Sequence, residues 1–350
     1  MITTPQNILI RGVNWLGDAL ITIPAMRVLR ERYPRSRMTL LIKAPLDTLF
    51  DGFDAVDEVI GFSVRKGIAG LPDRLRLIRR LRKSKFDLCL ILPNSFDSAL
   101  IPFLSGIPER TGFNRDGRGA LLTRRIPPIA KGRGEHQARE YLKLILEETN
   151  TPEKLDFSLS PGPAALGWAK EQIAFLTPSD DTPLIGLNPG AAYGPAKMWI
   201  PERFSELGTR LFNGIGADIL LVGGPSEIAL CRNIARRISG EVLDLSGRTD
   251  LPQLAAVLSL CDLVVTNDSG PMHLASAVGT PVVALFGSTD PDATSPLGEH
   301  VILSKRMECA PCRERICPRG DMRCMKEIEV EDVMEAVIRL LPEAGESRDD

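Results

Sequence analysis

Val264 to Pro291 reads VVTNDSGPMHLASAVGTPVVALFGSTDP, and the reading of the whole chain turns on it. Leu263-Val264-Val265 is a short, β-branched apolar run, the pattern of a strand buried on both faces. It stops at Thr266-Asn267-Asp268-Ser269-Gly270, where small turn-forming residues accumulate. Pro271 then opens a helix over Met272 to Val278, and Gly279 ends it. Pro281 to Leu285 reads as a second buried strand, followed by the polar loop Gly287-Ser288-Thr289-Asp290. Both polar loops fall at the carboxyl ends of strands, the edge at which open parallel sheets bind ligands. Free N–H groups at the start of the 271–278 helix favour an anion, and Ser269 and Gly270 let a phosphate approach. The plainer reading is an ordinary βαβ turn in which Asp268 and Ser269 cap the helix.

The same alternation runs outward in both directions. Upstream, Leu184–Asn188, Asp218–Val222 and Val242–Leu243 read as strands, with helices over Glu202–Leu211, Ser226–Ile238 and Leu251–Leu260 between and after them. Residues 329–341 form a last amphipathic helix with Val330, Val333, Val337 and Leu340 on one side. Residues 151–183 are richer in proline and polar residues and mark a domain junction. Before it the pattern occurs once already: strands at Asn7–Arg11, Thr39–Ile42, Glu58–Ile60, Asp87–Leu92 and Glu109–Phe113, and helices over about Ala19–Arg32, Leu71–Lys83 and Gln137–Glu148. Strands alternating with helices, twice over, predict an α/β chain of two doubly wound parallel sheets with the site in the cleft between them.

A length of 350 residues allows two domains, each with its own core. No apolar run reaches membrane-spanning length and no signal-peptide pattern precedes the first strand, so a cytoplasmic protein is expected, touching a membrane only from its surface. The net charge of -2 hides an asymmetry: residues 1–160 carry 26 Lys/Arg against 18 Asp/Glu, and residues 161–350 carry 17 against 27. A basic first half suggests an anionic partner there, whether acidic lipid, phosphorylated glycan or nucleic acid; a solvated helix face is the alternative.

The first strand-to-helix turn, Gly12-Val-Asn-Trp-Leu-Gly-Asp18, fails the G-x-G-x-x-G pattern. It has P-loop glycine spacing, but Asp18 stands where that loop needs lysine, and a carboxylate repels phosphate. Asp18 is instead placed as a general base or as a helix N-cap. Asn188-Pro-Gly-Ala-Ala-Tyr-Gly-Pro-Ala-Lys197 follows a strand; its small residues expose backbone N–H groups, and Lys197 supplies a point charge or a solvated loop cation. Glu227, in Val222-Gly-Gly-Pro-Ser-Glu227, suits ribose hydroxyls or a plain helix surface. His273 lies on the helix beside Asp268; His136 and His300 have no supporting cluster of chemistry-bearing residues in the sequence. Asp290-Pro-Asp292 is weak evidence for a metal–nucleotide site. Cys309, Cys312, Cys317 and Cys324 give C-x2-C-x4-C-x6-C, which suggests a structural zinc or iron–sulfur site or reduced thiols in a compact loop. Cys89, Cys231 and Cys261 read as core.

Taken together, Arg11-Gly-Val-Asn-Trp-Leu-Gly-Asp18, the Asn188-Pro-Gly-Ala…Lys197…Trp199 loop and Thr266-Asn-Asp-Ser-Gly…His-Leu-Ala…Gly-Thr-Pro-Val-Val-Ala-Leu-Phe-Gly-Ser-Thr-Asp-Pro291 resemble the glycosyltransferase family 9 heptosyltransferases. The cysteine cluster ending Cys324-Met325 resembles the lipopolysaccharide branch. The resemblance covers about residues 7–340. It implies a GT-B fold of two Rossmann-like domains, 1–160 for the acceptor and 161–328 for the nucleotide sugar, with the helix at 329–342 returning to the first. It implies an ADP-heptose donor, an acceptor that is the first heptose of the lipid A–inner core at the inner face of the inner membrane, and no cofactor or required metal. Asp18 becomes the base. Ala191 and Ala192 offer backbone to the phosphates, where the family often has hydroxyl residues. Lys197 meets the pyrophosphate, Glu227 the ribose, and the backbone near Thr249 the adenine. Asp268 holds sugar hydroxyls, with Ser269, Gly270 and His273 beside the diphosphate. Asn14, Arg65, Arg74, Arg79 and Arg115 become acceptor contacts, so the basic half serves phosphates, acidic sugars and an anionic membrane rather than nucleic acid. Two rivals use the same residues: a sugar-nucleotide epimerase, which needs no acceptor, and a non-catalytic nucleotide-sugar binder. A heptosyltransferase with a different acceptor is a third.

Overall fold

The computed structural model describes residues 4–65, 67–128, 135–146, 152–174, 176 and 182–341. The chain divides into two compact units, Met1–Phe157 and Ser158–Asp350. The first runs β1 (Asn7–Arg11), α1 (Leu16–Ile21), α2 (Ile23–Arg32), β2 (Arg37–Lys43), β3 (Glu58–Phe62), α3 (Leu71–Ser84), β4 (Leu88–Ile91), α4 (Phe96–Leu104), β5 (Glu109–Phe113), β6 (Arg124–Ile126) and α5 (Gln137–Leu142). Its six strands are parallel, in the order β3-β2-β1-β4-β5-β6. Alternate residues serve opposite faces: Leu9, Leu41, Ile60, Cys89 and Ile91 join Leu77, Ile78 and Leu81 of α3 in one core, while Ile8, Ile10, Leu40 and Ile42 are equally buried on the other face.

The second unit runs α6 (Pro163–Ile173), β7 (Leu184–Asn188), α7 (Pro201–Ile215), β8 (Asp218–Leu221), α8 (Ile228–Ala235), β9 (Val242–Asp244), α9 (Leu251–Ser259), β10 (Leu263–Asn267), α10 (Gly270–Ala277), β11 (Val282–Phe286), α11 (Pro291–Thr294), β12 (His300–Ser304), α12 (Arg323–Lys326) and α13 (Val330–Leu340). Its parallel order, β12-β11-β10-β7-β8-β9, is that of the first sheet counted from the other end. Each sheet therefore reverses its winding once, between β1 and β4 and between β7 and β10. That reversal opens the crevice where doubly wound sheets take ligands.

Several elements differ from the sequence reading. The expected helix from about Ala19 is two helices broken at Thr22, whose hydroxyl donates to the Ala19 carbonyl at 2.6 Å; Pro24 lies in the first turn of the second helix, where its missing N–H costs nothing. The short strand β6, the edge strand β12 and helix α6, inside the supposed junction, had no strong periodicity to announce them. Residues 147–148 of the expected 137–148 helix lie outside the described residues. The last helix, expected on the first domain, instead sets Val330, Val333, Ala336 and Val337 into the core of the second unit with Trp199, Phe204 and Leu207. Its apolar stripe matches the row of side chains that α7 and β10–β12 leave open.

Candidate functional site

At the carboxyl edge of the second sheet, β7 ends in Asn188 and leads into the loop 189–200; β10 ends in Asn267 and leads into Asp268 and α10. Asn267 ties the two together. Its amide donates to the Pro189 carbonyl at 2.8 Å, and its Oδ1 accepts from the Trp199 N–H at 2.9 Å. Trp199, fully buried, donates its indole N–H to the Ile328 carbonyl at 2.9 Å. The loop is therefore pinned at both ends while its middle stays at the edge.

On that frame Lys197 Nζ lies 2.6 Å from Asp268 Oδ2, with the two side chains 13% and 5% exposed. Thr289 donates to the same carboxylate oxygen. The ammonium also rests 4.9 Å from the centre of the Tyr193 ring, and Arg315 approaches that ring at 5.1 Å. A nearly buried ammonium held by one carboxylate, beside the N-terminus of α10, is a cation with one exchangeable partner. Ser269 is the residue preceding α10, extended and without a side-chain capping bond; its hydroxyl lies 3.4 Å from that of Thr266. Gly270 opens the helix, and His273 is buried one turn in.

The next two strands add their loops at the same edge. Glu227 Oε2 accepts from the Gly224 N–H at 2.6 Å, closing its own turn, and its carboxylate lies against Gly190: a Cβ there would fall 1.8 Å from Oε1. A side chain at 190 would have to push that carboxylate aside. Gly194, at φ +153°, is constrained likewise, because a Cβ would stand 2.4 Å from the Arg315 carbonyl. Thr249 lies between β9 and α9, where the Gly247 N–H reaches the Gly223 carbonyl at 2.8 Å. The structure thus brings Ala191, Ala192, Lys197, Glu227, Thr249, Asp268, Ser269, Gly270 and His273 to one edge of one sheet. Sequence reading missed Asn188 and Ser288, buried at the ends of β7 and β11 with Oδ1 and Oγ finding no partner among the described residues, and Tyr193 and Thr289 beside the ion pair. An unpaired buried polar atom leaves no trace in sequence.

In the first unit, Asp18 is not the cap of α1. It is the third helical residue, half-buried, and the cap position is Trp15, whose side chain makes no capping bond. Burial pushes the Tyr141 phenol well up, and the Asp18 charge adds to that. Asn14 Oδ1 accepts from Arg11 at 3.4 Å; the Arg11 guanidinium lies over the Phe62 ring at 4.5 Å, and burial pulls its pKa down to about 10. Arg65 pairs with Asp73 at 2.9 Å and Arg74 with Asp97 at 3.2 Å. Arg115 follows β5 and lowers the titration of Glu140, whose burial raises it by more. Asn14, Asp18, Arg65 and Arg115 occupy loops or first turns at the carboxyl edge, and Arg74 is tied to it through Asp97. Arg79 stands apart, two turns along α3 on its outer side.

Cys309, Cys312, Cys317 and Cys324 line one cavity of about 20 Å³ with Ala196, Gly287 and Ser288. All seven cysteines are free thiols. Among the described residues no group of three or more His, Cys, Asp or Glu is placed to hold a metal ion, so the structure does not assemble the ligand set that the spacing suggested. The cysteine loop has a visible architectural part instead. The Arg315 carbonyl accepts from the Ala196 N–H at 3.1 Å, the Arg313 carbonyl accepts from the Tyr193 hydroxyl at 2.8 Å, and the Arg313 N–H donates to the Ser288 carbonyl at 2.6 Å. It thereby buttresses the loops after β7 and β11. Of the weak metal motif, Asp290 caps α11, its carboxylate accepting from the N–H of Asp292 in the first turn. Among the described residues no helix is long and apolar enough to cross a membrane.

The family model described as glycosyltransferase family 9 (heptosyltransferase) matches residues 74–322. Lipopolysaccharide heptosyltransferase 2 of Salmonella typhimurium is 31% identical over 97% of this chain and 100% of its own length. The solved Escherichia coli ADP-heptose lps heptosyltransferase II superposes with a TM-score of 0.81 at 28% identity, covering 96% of this chain and 98% of that one. A glycosyl transferase family 9 structure from Veillonella parvula gives 0.86 at 24% identity, covering 96% and 97%, and shares the fold.

Proposed function

This chain belongs to glycosyltransferase family 9, and from that premise we propose that it moves L-glycero-D-manno-heptose from ADP-heptose to the first heptose of the lipopolysaccharide inner core. It is a heptosyltransferase of GT-B architecture. The observation that supports this reading most is the Lys197–Asp268 pair at the point where the second sheet reverses, beside the start of α10. A diphosphate competes with Asp268 for the ammonium and takes the helix N–H groups besides. Released from Lys197, the carboxylate turns to sugar hydroxyls, while Glu227 accepts from the ribose and the backbone near Thr249 borders the adenine.

The chemistry then follows from where charge moves. Asp18 takes the proton of the acceptor hydroxyl, whose oxygen attacks the anomeric carbon from the face opposite ADP. The configuration inverts in one displacement through an oxocarbenium-like state. As the bond to ADP breaks, negative charge grows on the diphosphate, and Lys197 with the N-terminus of α10 stabilises it. Asn14, Arg65, Arg74 and Arg115 serve the phosphorylated acceptor. That acceptor is carried on lipid, so the enzyme works as a peripheral protein at the inner face of the inner membrane.

The test mixes ADP-heptose with truncated core acceptors and follows product mass and ADP release. One added heptose, only on the acceptor ending in a single heptose, is expected. An isomerised sugar from donor alone would mean an epimerase, and binding with no ADP release a non-catalytic protein; either sinks the proposal.

A further inference from the structure

The outer side of α3 presents a pattern that the site chemistry does not use. Just before the helix Ile68 is 84% exposed, and within it Leu71 and Leu75 are 52% and 50% exposed. Residues 71 and 75 are one turn apart and share a face. The same face continues through Arg79 to Lys83 and bounds a groove lined by Pro72, Leu75, Arg76, Arg79, Arg80 and Lys83. The helix is held from behind by Leu77, Ile78 and Leu81, buried against the sheet, so the outward leucines are not needed for its packing. Acids hold the cations weakly: Arg76 reaches Asp73 only at 3.9 Å, and Arg80 reaches Glu58 at 3.4 Å.

We propose that α3 and the turn before it dock on an anionic lipid bilayer, with Ile68, Leu71 and Leu75 entering the interface and Arg76, Arg80 and Lys83 meeting lipid phosphates. Aliphatic side chains at one end of a row of long basic ones match the two layers of a membrane surface: the first gain by leaving water, the second extend to the headgroups. Charge complementarity selects anionic lipid, since α3 carries six Lys/Arg against the single acid Asp73. Nucleic acid is the poorer match, because three aliphatic anchors offer bases no stacking surface. The proposal deepens the peripheral location given above and rests on it. Its primary readout is binding, which does not require that transfer to any particular acceptor be right.

The full chain is sedimented with vesicles of phosphatidylethanolamine and phosphatidylglycerol, and separately with phosphatidylcholine alone. Binding to the anionic vesicles, weakened by salt, with at least tenfold less on the neutral ones, is expected. Arg76→Ala/Arg80→Ala/Lys83→Ala should lower anionic-vesicle affinity about 100-fold, roughly fivefold per cation. Ile68→Ser/Leu71→Ser/Leu75→Ser should lower it at least tenfold. Both variants should process a water-soluble, deacylated acceptor as the parent does. Equal binding to the two vesicle types, or either triple variant binding like the parent, would overturn the docking face. Failure of transfer with vesicle binding intact would overturn the acceptor assignment and leave the face standing.

Discussion

Each unit keeps a cation buried near the carboxyl edge of its sheet, and they do it in opposite ways. In the first, Arg118 has no exposed surface; its guanidinium donates to the Phe113 carbonyl at 2.8 Å, to Ser98 Oγ at 3.1 Å, to Asn94 Oδ1 at 3.3 Å and to the Pro93 carbonyl. Each of these acceptors is neutral, and burial pulls its pKa down to about 10. In the second, Lys197 is held by the carboxylate of Asp268. Identical strand order thus carries two kinds of edge. Arg118 spends its donors on tying the loop after β4 to β5 and has little left for a ligand. Lys197 has an anionic partner that an incoming anion can replace. The first edge gives its buried cation neutral loop acceptors; the second sets its buried cation against a carboxylate, the arrangement that the proposed donor site uses.

The largest expected effect lies on the first edge. On the proposed mechanism Asp18→Asn removes the base and keeps the shape, so kcat should fall about 10²–10⁴-fold while ADP-heptose affinity, assigned there to the other sheet, is unchanged. Steady-state ADP release together with donor binding by calorimetry checks both halves. Retained turnover would remove Asp18 from the mechanism, and lost donor binding would mean that the two edges do not divide the work this way.

The fold was legible because buried parallel strands show as short β-branched runs whatever the loops do, and Leu263–Val265 and Leu184–Leu187 are such runs. The edge residues were legible where a charged group stood in a loop of small ones, as Lys197, Glu227 and Asp268 do. What stayed hidden was pairwise. Nothing in the chain says that Asn267 would stitch Pro189 to Trp199, or that Arg74 would be tied to Asp97, because those contacts depend on which loops the sheet order makes neighbours. Arg118 looked like one more arginine of a basic half, and only burial distinguishes it from Arg79. The last helix was misplaced for the same reason: its valine stripe announces that it packs and not on what.

Lys197→Met comes next. It leaves Asp268, 5% exposed at the side chain, without its counter-charge and with Thr289 as the visible donor. Losing one member of a buried pair costs about 3–5 kcal/mol. Urea unfolding should show that loss, and adding Asp268→Asn should recover part of it, so the double variant is less unstable than the sum of the singles. The single variant should also bind ADP more weakly. If the two changes simply add and ADP binds as before, Lys197 is not the exchangeable cation.

Arg118→Met sharpens the contrast and should have the smallest effect of the three. The flexible apolar chain fills most of the space of the arginine stem. What is left behind is a set of carbonyl and hydroxyl dipoles rather than a bare carboxylate. Each acceptor left without a partner costs about 1–3 kcal/mol, but the Phe113 carbonyl keeps the Arg115 N–H at 2.9 Å and the Pro93 carbonyl keeps the Ser98 hydroxyl at 3.2 Å. The charge that had to be desolvated is gone as well, so the loss should fall below that for Lys197. The same urea experiment reads it, alongside ADP affinity, which should not change because the loops it holds, 93–98 and 113–118, belong to the first sheet. A loss larger than that of Lys197→Met would mean that the neutral cage around Arg118, and not the ion pair, is the more demanding way to bury a cation in this fold.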